Sequence, residues 1–242
     1  MTPRIPLPPP FDHRPFARAE ALRGGLGSNR INGPDLIRPF HGVRHPARLP
    51  LTFEARCRAF AQRMPENAFF NSITAANLLG VPLPLALRAS TILDVAVPSP
   101  ARSSTARGVR GHSVHLMGGD TRMVRGLRVS NFPRLWCELA AVLELRDLVA
   151  AGDHLIHWRL PMCSRADLAD AVARYPGQRG RARMRAALAL LNERSESPRE
   201  SILRVLLHEG GITGLAVNLP VTVRGMNFRL DLALPEFKLA LE

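Results

Sequence analysis

Three acidic residues towards the end of the chain, Glu200, Asp231 and Glu242, are of a type and order that could hold a divalent cation. Asp231 sits in the alternating run Phe228-Arg229-Leu230-Asp231-Leu232-Ala233-Leu234, and Glu242 closes a second run, Phe237-Lys238-Leu239-Ala240-Leu241-Glu242. With Pro235-Glu236 as a two-residue turn, Leu234 pairs with Phe237 and Asp231 lies opposite Ala240. Glu242 then faces Arg229 on the sheet face that carries Asp231. Diagonal neighbours on one face stand roughly 7 Å apart, close enough for two carboxylates to share Mg²⁺ or Mn²⁺. Such a metal lowers the pKa of a bound water and stabilises charge building on a phosphate, so the chemistry would be phosphodiester hydrolysis. Glu200 has two readings, which can coexist. It could orient the attacking water, or it serves Ser197-Pro198-Arg199-Glu200 as a capping box in which Glu200 reaches back to the cap.

The elements that must position these residues follow from pattern. Ile202, Leu203, Val205, Leu206 and Leu207 give a helical apolar stripe that stops at Gly210-Gly211. Upstream, 164–193 reads as two helices, the first with Ser164 as N-cap and Asp167 at N3, the second opening on Arg179, Arg181, Arg183 and Arg185. Cations at a helix start oppose its dipole, which points to a partner phosphate there. Residues 51–160 read as mixed α/β: a helix from Leu51 to Met64, a capped helix Ser72–Leu79 stopped by Gly80, strands at Ile92–Val97 and Gly126–Val129, a basic strand or loop from Arg107 to Leu116, and helices Pro133–Leu143 and Leu145–His157. Residues 14–50 hold two short helices about a Gly24-Gly25 turn and one strand across Ile37–Arg44. That order suits a reduced winged helix-turn-helix or a capping subdomain. A proline-rich lead-in covers 1–13. The expected class is α/β (α+β), divided at 1–13, 14–50, 51–160, 161–194 and 195–242.

The formal net charge is +13, and Lys238 is the one lysine among 33 basic residues. Biased codon usage accounts for arginine over lysine but not for the excess over acids, so a polyanionic partner, DNA, is expected. The candidate contacts are Arg30, Arg38 and Arg44, then Arg107 and Arg110, then Arg179, Arg181 and Arg183. No apolar run approaches the ~20 residues of a membrane span, and the expected compartment is the cytoplasm. Cys57, Cys137 and Cys163 fit free thiols, and His154 and His157 lack further ligands for zinc.

Phe69-Phe70-Asn71-Ser72-Ile73-Thr74-Ala75-Ala76-Asn77-Leu78-Leu79-Gly80-Val81-Pro82-Leu83-Pro84 resembles the AbiEi-type antitoxins of type IV toxin–antitoxin systems in their actinobacterial form. So do Arg107–His112, Trp136–Ala141 and Leu148–Asp153, and Pro15-Phe16-Ala17 with Phe40–Arg44 is similar to that family's winged-helix lead. The tail, Ser195–Ser201 with Arg229–Ala233 and Leu239–Glu242, is similar to relatives of very-short-patch-repair endonucleases within the PD-(D/E)XK superfamily. That superfamily places a lysine or substitute two positions after the second strand acid. Here the sequence ends on Glu242, and Lys238 precedes it, so the resemblance implies an incomplete restriction-endonuclease-like core. Together the resemblances imply a DNA-binding protein with a vestigial or incomplete endonuclease module. The alternative is a non-enzymatic repressor or antitoxin with a cognate toxin as partner.

Overall fold

The computed structural model describes residues 6–9 and 11–241. Its first unit runs β1 (Phe16–Ala17), α1 (Arg18–Arg23), α2 (Ser28–Ile31), β2 (Leu36–Ile37) and β3 (Val43–Pro46). The strands form an antiparallel sheet in the order β1-β3-β2, with Phe16 opposite Arg44 and Leu36 opposite Pro46. Phe11, Phe16, Ala21, Ile31 and Leu36 close a small core beneath it. The single strand expected across Ile37–Arg44 is instead a hairpin. Pro39 has no N–H for a ladder, and Gly42 turns the chain at φ 76°. At the tip of that hairpin Phe40 packs edge-on against Phe60 at 4.9 Å, which fixes the unit on the larger core.

The middle region comprises α3 (Phe53–Ala61), β4 (Phe69–Phe70), α4 (Ser72–Leu79), α5 (Leu85–Arg88), β5 (Leu93–Pro98), β6 (Val109–Val114), β7 (Thr121–Val124), β8 (Leu127–Ser130), α6 (Phe132–Leu139) and α7 (Leu145–Leu155). Its five strands lie in the order β6-β5-β4-β8-β7. β5 runs parallel to β6 and β4 parallel to β8, while the β4–β5 and β7–β8 pairs are antiparallel. Phe69, Phe70, Val95, Trp136, Leu139 and Leu148 are buried between this sheet and its helices. The start of α4 departs from expectation. Ser72 is not its cap: it adopts φ 47°, and its N–H donates 3.0 Å to Glu138 Oε2 on α6. A distant carboxylate therefore satisfies the helix start that a local hydroxyl was expected to serve. Gly80 does end the helix, in the left-handed region at φ 73°.

Three helices follow, α8 (Arg165–Arg174), α9 (Arg181–Leu190) and α10 (Pro198–Glu209). The expected capping box on α8 is formed. Ser164 Oγ accepts from the Asp167 N–H at 3.0 Å, and the Ser164 N–H donates to Asp167 Oδ2 at 2.8 Å. The chain closes on β9 (Ala216–Val223), β10 (Met226–Leu234) and β11 (Leu239–Leu241), an antiparallel meander in the order β11-β10-β9.

The expected hairpin register does not hold. A 3-10 turn spans Pro235–Phe237 and Lys238 takes φ 52°, so the connection has four residues rather than two. Leu234 pairs with Leu239 and Ala233 with Ala240, leaving Asp231 away from Ala240. Pro235, with φ fixed and no N–H, favours the tight helical turn over a two-residue loop that needs positive φ. Across the described residues the fold is α+β, with ten α-helices and three sheets. None of those helices is long and apolar enough to cross a membrane.

Candidate nucleic-acid interface

Where the first unit meets α3 and the approach to β6, the surface opens into a groove of about 1200 Å³. Six arginines line it: Arg18, Arg38, Arg44, Arg56, Arg63 and Arg107, with Ser103, Ser104 and Thr105 along one wall. The lining contains no aspartate or glutamate. Among the described residues none of these six guanidinium groups forms a salt bridge, whereas Arg14, Arg48, Arg58 and Arg125 elsewhere on the surface are each paired with a carboxylate. Unpaired cations of one sign in a concave surface concentrate positive potential.

Each arginine is positioned by an element whose formation follows from local sequence. Arg18 opens α1, where its N–H donates 2.7 Å to the Gly42 carbonyl. Arg38 stands on the β2–β3 hairpin and donates 3.2 Å to Asn32 Oδ1. Arg44 on β3 is buried, with its Nε on the Ile31 carbonyl at 2.8 Å and an Nη on Asn32 Oδ1 at 2.9 Å. Burial, with the charges of Arg38 and Arg18 adding to it, pushes the Arg44 guanidinium below its usual pKa. Arg44 therefore forms the floor, and Arg18 and Arg38 the open rim. α3, capped by Thr52 Oγ1 on the Ala55 N–H at 3.1 Å, presents Arg56 over the Phe40 ring at 5.4 Å. Arg63 follows α3, over the Phe60 ring at 5.8 Å, with an N–H on the His41 carbonyl at 3.3 Å. Arg107 is exposed on the loop before β6.

Of the residues singled out from sequence, Arg38, Arg44 and Arg107 converge here; the others do not line this groove. Arg30 makes a two-point contact with Asp35, at 3.1 and 2.8 Å. Arg110 lies 3.3 Å from the buried Asp94, which also holds His112 Nε2 at 3.1 Å. Arg181 donates 2.9 Å to the Tyr175 carbonyl, and Arg183 donates 3.0 Å to the Ala140 carbonyl at the end of α6 while pairing with Glu144 at 3.4 Å. Arg181 and Arg183 thus answer carbonyls at the C-terminal ends of α8 and α6. Arg179 is exposed just before α9.

Sequence reasoning missed Arg18, Arg56 and Arg63. The i, i+7 spacing of Arg56 and Arg63 about α3, on a face next to Phe60, was the available signal. Arg18 carried none, because only the hairpin's position brings it to the rim.

Of the acidic candidates, Glu200 is engaged at the start of its own helix. The Glu200 N–H donates 3.2 Å to Ser197 Oγ, and the Glu200 carboxylate accepts from the Glu196 N–H at 2.9 Å, one residue before the expected cap. Asp231 is exposed on β10 and pairs with no cation among the described residues. Glu242 lies outside the described residues. Among the described residues no three His, Cys, Asp or Glu side chains group to hold a metal ion. Cys57 and Cys137 are free and buried, and burial pushes both thiols up to about 12.

No family model matches the chain. No curated protein matches it either. Among solved structures it is similar to the Rv2827c protein of Mycobacterium tuberculosis, at 17% identity over 74% of this chain and 77% of that one, with a TM-score of 0.46. A likeness of that degree carries no argument about function.

Proposed function

We propose that the chain binds DNA through the arginine groove and acts as a non-enzymatic regulator of the antitoxin kind, the role that its AbiEi resemblance implies. One observation carries the reading: six guanidinium groups share one groove with hydroxyl side chains and no carboxylate. Guanidinium forks match phosphate oxygens, and contacts of this type give affinity with little base selectivity. The strand–helix–helix–hairpin order of the unit that supplies Arg18, Arg38 and Arg44 supports the winged-helix reading, with its short hairpin at the groove's rim.

Binding of a labelled duplex followed against salt tests this. Each phosphate contact contributes about 0.9 to the slope of log affinity against log salt. The Arg38→Ala, Arg63→Ala, Arg107→Ala triple variant is expected to reduce the slope by about 2.7 at most. An unchanged slope and affinity would sink the groove. The resemblance also implies a cognate toxin as protein partner.

A second reading, Mg²⁺- or Mn²⁺-dependent hydrolysis at Asp231 and Glu242, is favoured by one observation, the exposed Asp231 carboxylate free of a cationic partner among the described residues. Plasmid cleavage that needs Mg²⁺ and disappears in Asp231→Ala would establish it, and would displace the non-enzymatic reading.

A further inference from the structure

On elements that contribute nothing to the groove, three arginines surround one half-exposed tryptophan. The guanidinium carbons of Arg159, Arg229 and Arg194 stand 4.7, 5.4 and 5.7 Å from the Trp158 ring centre. They come from three places: the turn after α7, the loop after α9, and β10. Trp158 is 37% exposed, its backbone N–H tied to the Glu193 carbonyl at 3.1 Å. Among the described residues the cluster makes one ion pair. Glu196 lies 3.3 Å from Arg159 and accepts from Asn218 Nδ2 at 2.7 Å. Asn218 is buried and held at φ 53°, and its Oδ1 accepts from Arg229 at 3.2 Å. Arg194 and Arg229 form no salt bridge among the described residues, so their guanidinium groups are left without a paired carboxylate.

This arrangement has an energetic direction. Three guanidinium groups around one ring repel each other, and the indole face offsets only part of that repulsion. A guanidinium stacked on a ring still offers its in-plane N–H donors outward, in the fork that fits a phosphate. Three cations already stand within 6 Å of the ring centre, which disfavours an inserted base and favours a backbone anion. We infer that the Trp158 cluster is a second phosphodiester-binding point of this chain, and this rests on the DNA-binding reading above.

The chain has two tryptophans, and Trp136 is fully buried with its Nε1 on the Leu148 carbonyl at 2.9 Å, so a change in emission on adding ligand reports Trp158. Adding duplex oligonucleotide to the full chain is expected to change that emission, and Trp158→Phe is expected to remove the change. Arg194→Gln with Arg229→Gln is expected to abolish the change and lower the salt slope by about 1.8, and Arg194→Gln alone by about 0.9. The single variant leaves the Arg229–Asn218 bond in place, so it guards against a fold effect. Duplex that binds with groove-dependent affinity while emission and slope ignore these variants would overturn the inference and leave the groove standing. A groove variant that binds normally while the Trp158 signal persists would do the reverse. If inorganic phosphate or a glutamate-rich peptide moves the emission and the duplex does not, the nucleic-acid assignment is overturned.

Discussion

Arg204 on α10 and Asp153 on α7 meet at 2.7 Å, with side chains 11% and 1% exposed, and this ion pair joins the last helix to the main core. Asp153 Oδ1 also accepts from the Asn192 N–H at 2.6 Å, and the other Arg204 Nη donates 2.7 Å to the Leu190 carbonyl. Burial raises the Asp153 carboxyl pKa, and Arg204 is the chief opposing influence. Removing Arg204 leaves a buried carboxylate without its cation. Arg204→Met is therefore expected to cost about 3–5 kcal/mol in urea unfolding, and Asp153→Leu with Arg204→Met to recover much of that. A loss below about 1 kcal/mol in the single variant would show that the pair is well solvated.

The proposed groove assigns some arginines to DNA and leaves others to the fold, and the two sets should separate by experiment. Arg183→Ala is expected to lower stability by about 1 kcal/mol, because the Ala140 carbonyl at the end of α6 loses its donor, while the DNA salt slope is unchanged. Arg63→Ala should do the opposite, with stability within about 0.5 kcal/mol and a slope reduced by about 0.9. Denaturation and anisotropy on the same two variants decide it; a slope change in Arg183→Ala would move the interface to α9.

What the sequence made legible was local. Ser164 with Asp167, Ser197 ahead of Pro198, and Gly80 after Leu79 mark helix ends through bonds to neighbours in the chain, and the helices begin or end there. What it hid was non-local. β7 is a partly buried edge strand and shows no apolar alternation, and β9 carries Pro220 and the positive-φ Asn218 within its span. The tail register turned on whether Pro235 opens a two- or a four-residue connection, which composition leaves open. The groove was half visible for the same reason. Arg38, Arg44 and Arg107 belong to basic stretches, but whether an arginine is spent on a carbonyl or left for a ligand depends on partners far away in sequence.

His154 on α7 provides a pH test. Its Nε2 is buried with no hydrogen-bond partner among the described residues, and burial first, then the nearby His157, holds its pKa below the usual value. For a histidine with a lowered folded pKa, the stabilising contribution is complete above the unfolded value near 6.5 and is lost as pH falls through the folded value. The urea midpoint is expected to drop as pH is lowered from about 7 to 5, and His154→Gln is expected to flatten that slope. An unchanged profile in His154→Gln would assign the acid sensitivity to other groups.

Gly111 on β6 sets the groove wall from behind. A Cβ built there would fall 2.2 Å from the Ser104 carbonyl oxygen and 2.7 Å from the Ser104 nitrogen, so the 103–105 loop lies directly on this strand because the residue is glycine. Backbone is on both sides of the contact, and no flexible side chain can yield. Gly111→Ala must push the loop outward, at a cost of about 1–3 kcal/mol, and with it Ser103, Ser104 and the approach to Arg107. DNA affinity is expected to fall by more than for Arg107→Ala alone, since one substitution displaces a whole wall. Gly118→Ala is the matched control: its Cβ meets nothing within 4 Å, and both stability and affinity should stay at the parent values. If Gly111→Ala unfolds at a lower temperature yet binds duplex as the parent does, the 103–105 loop is no part of the interface, and the contacts must run along the hairpin and α3 instead.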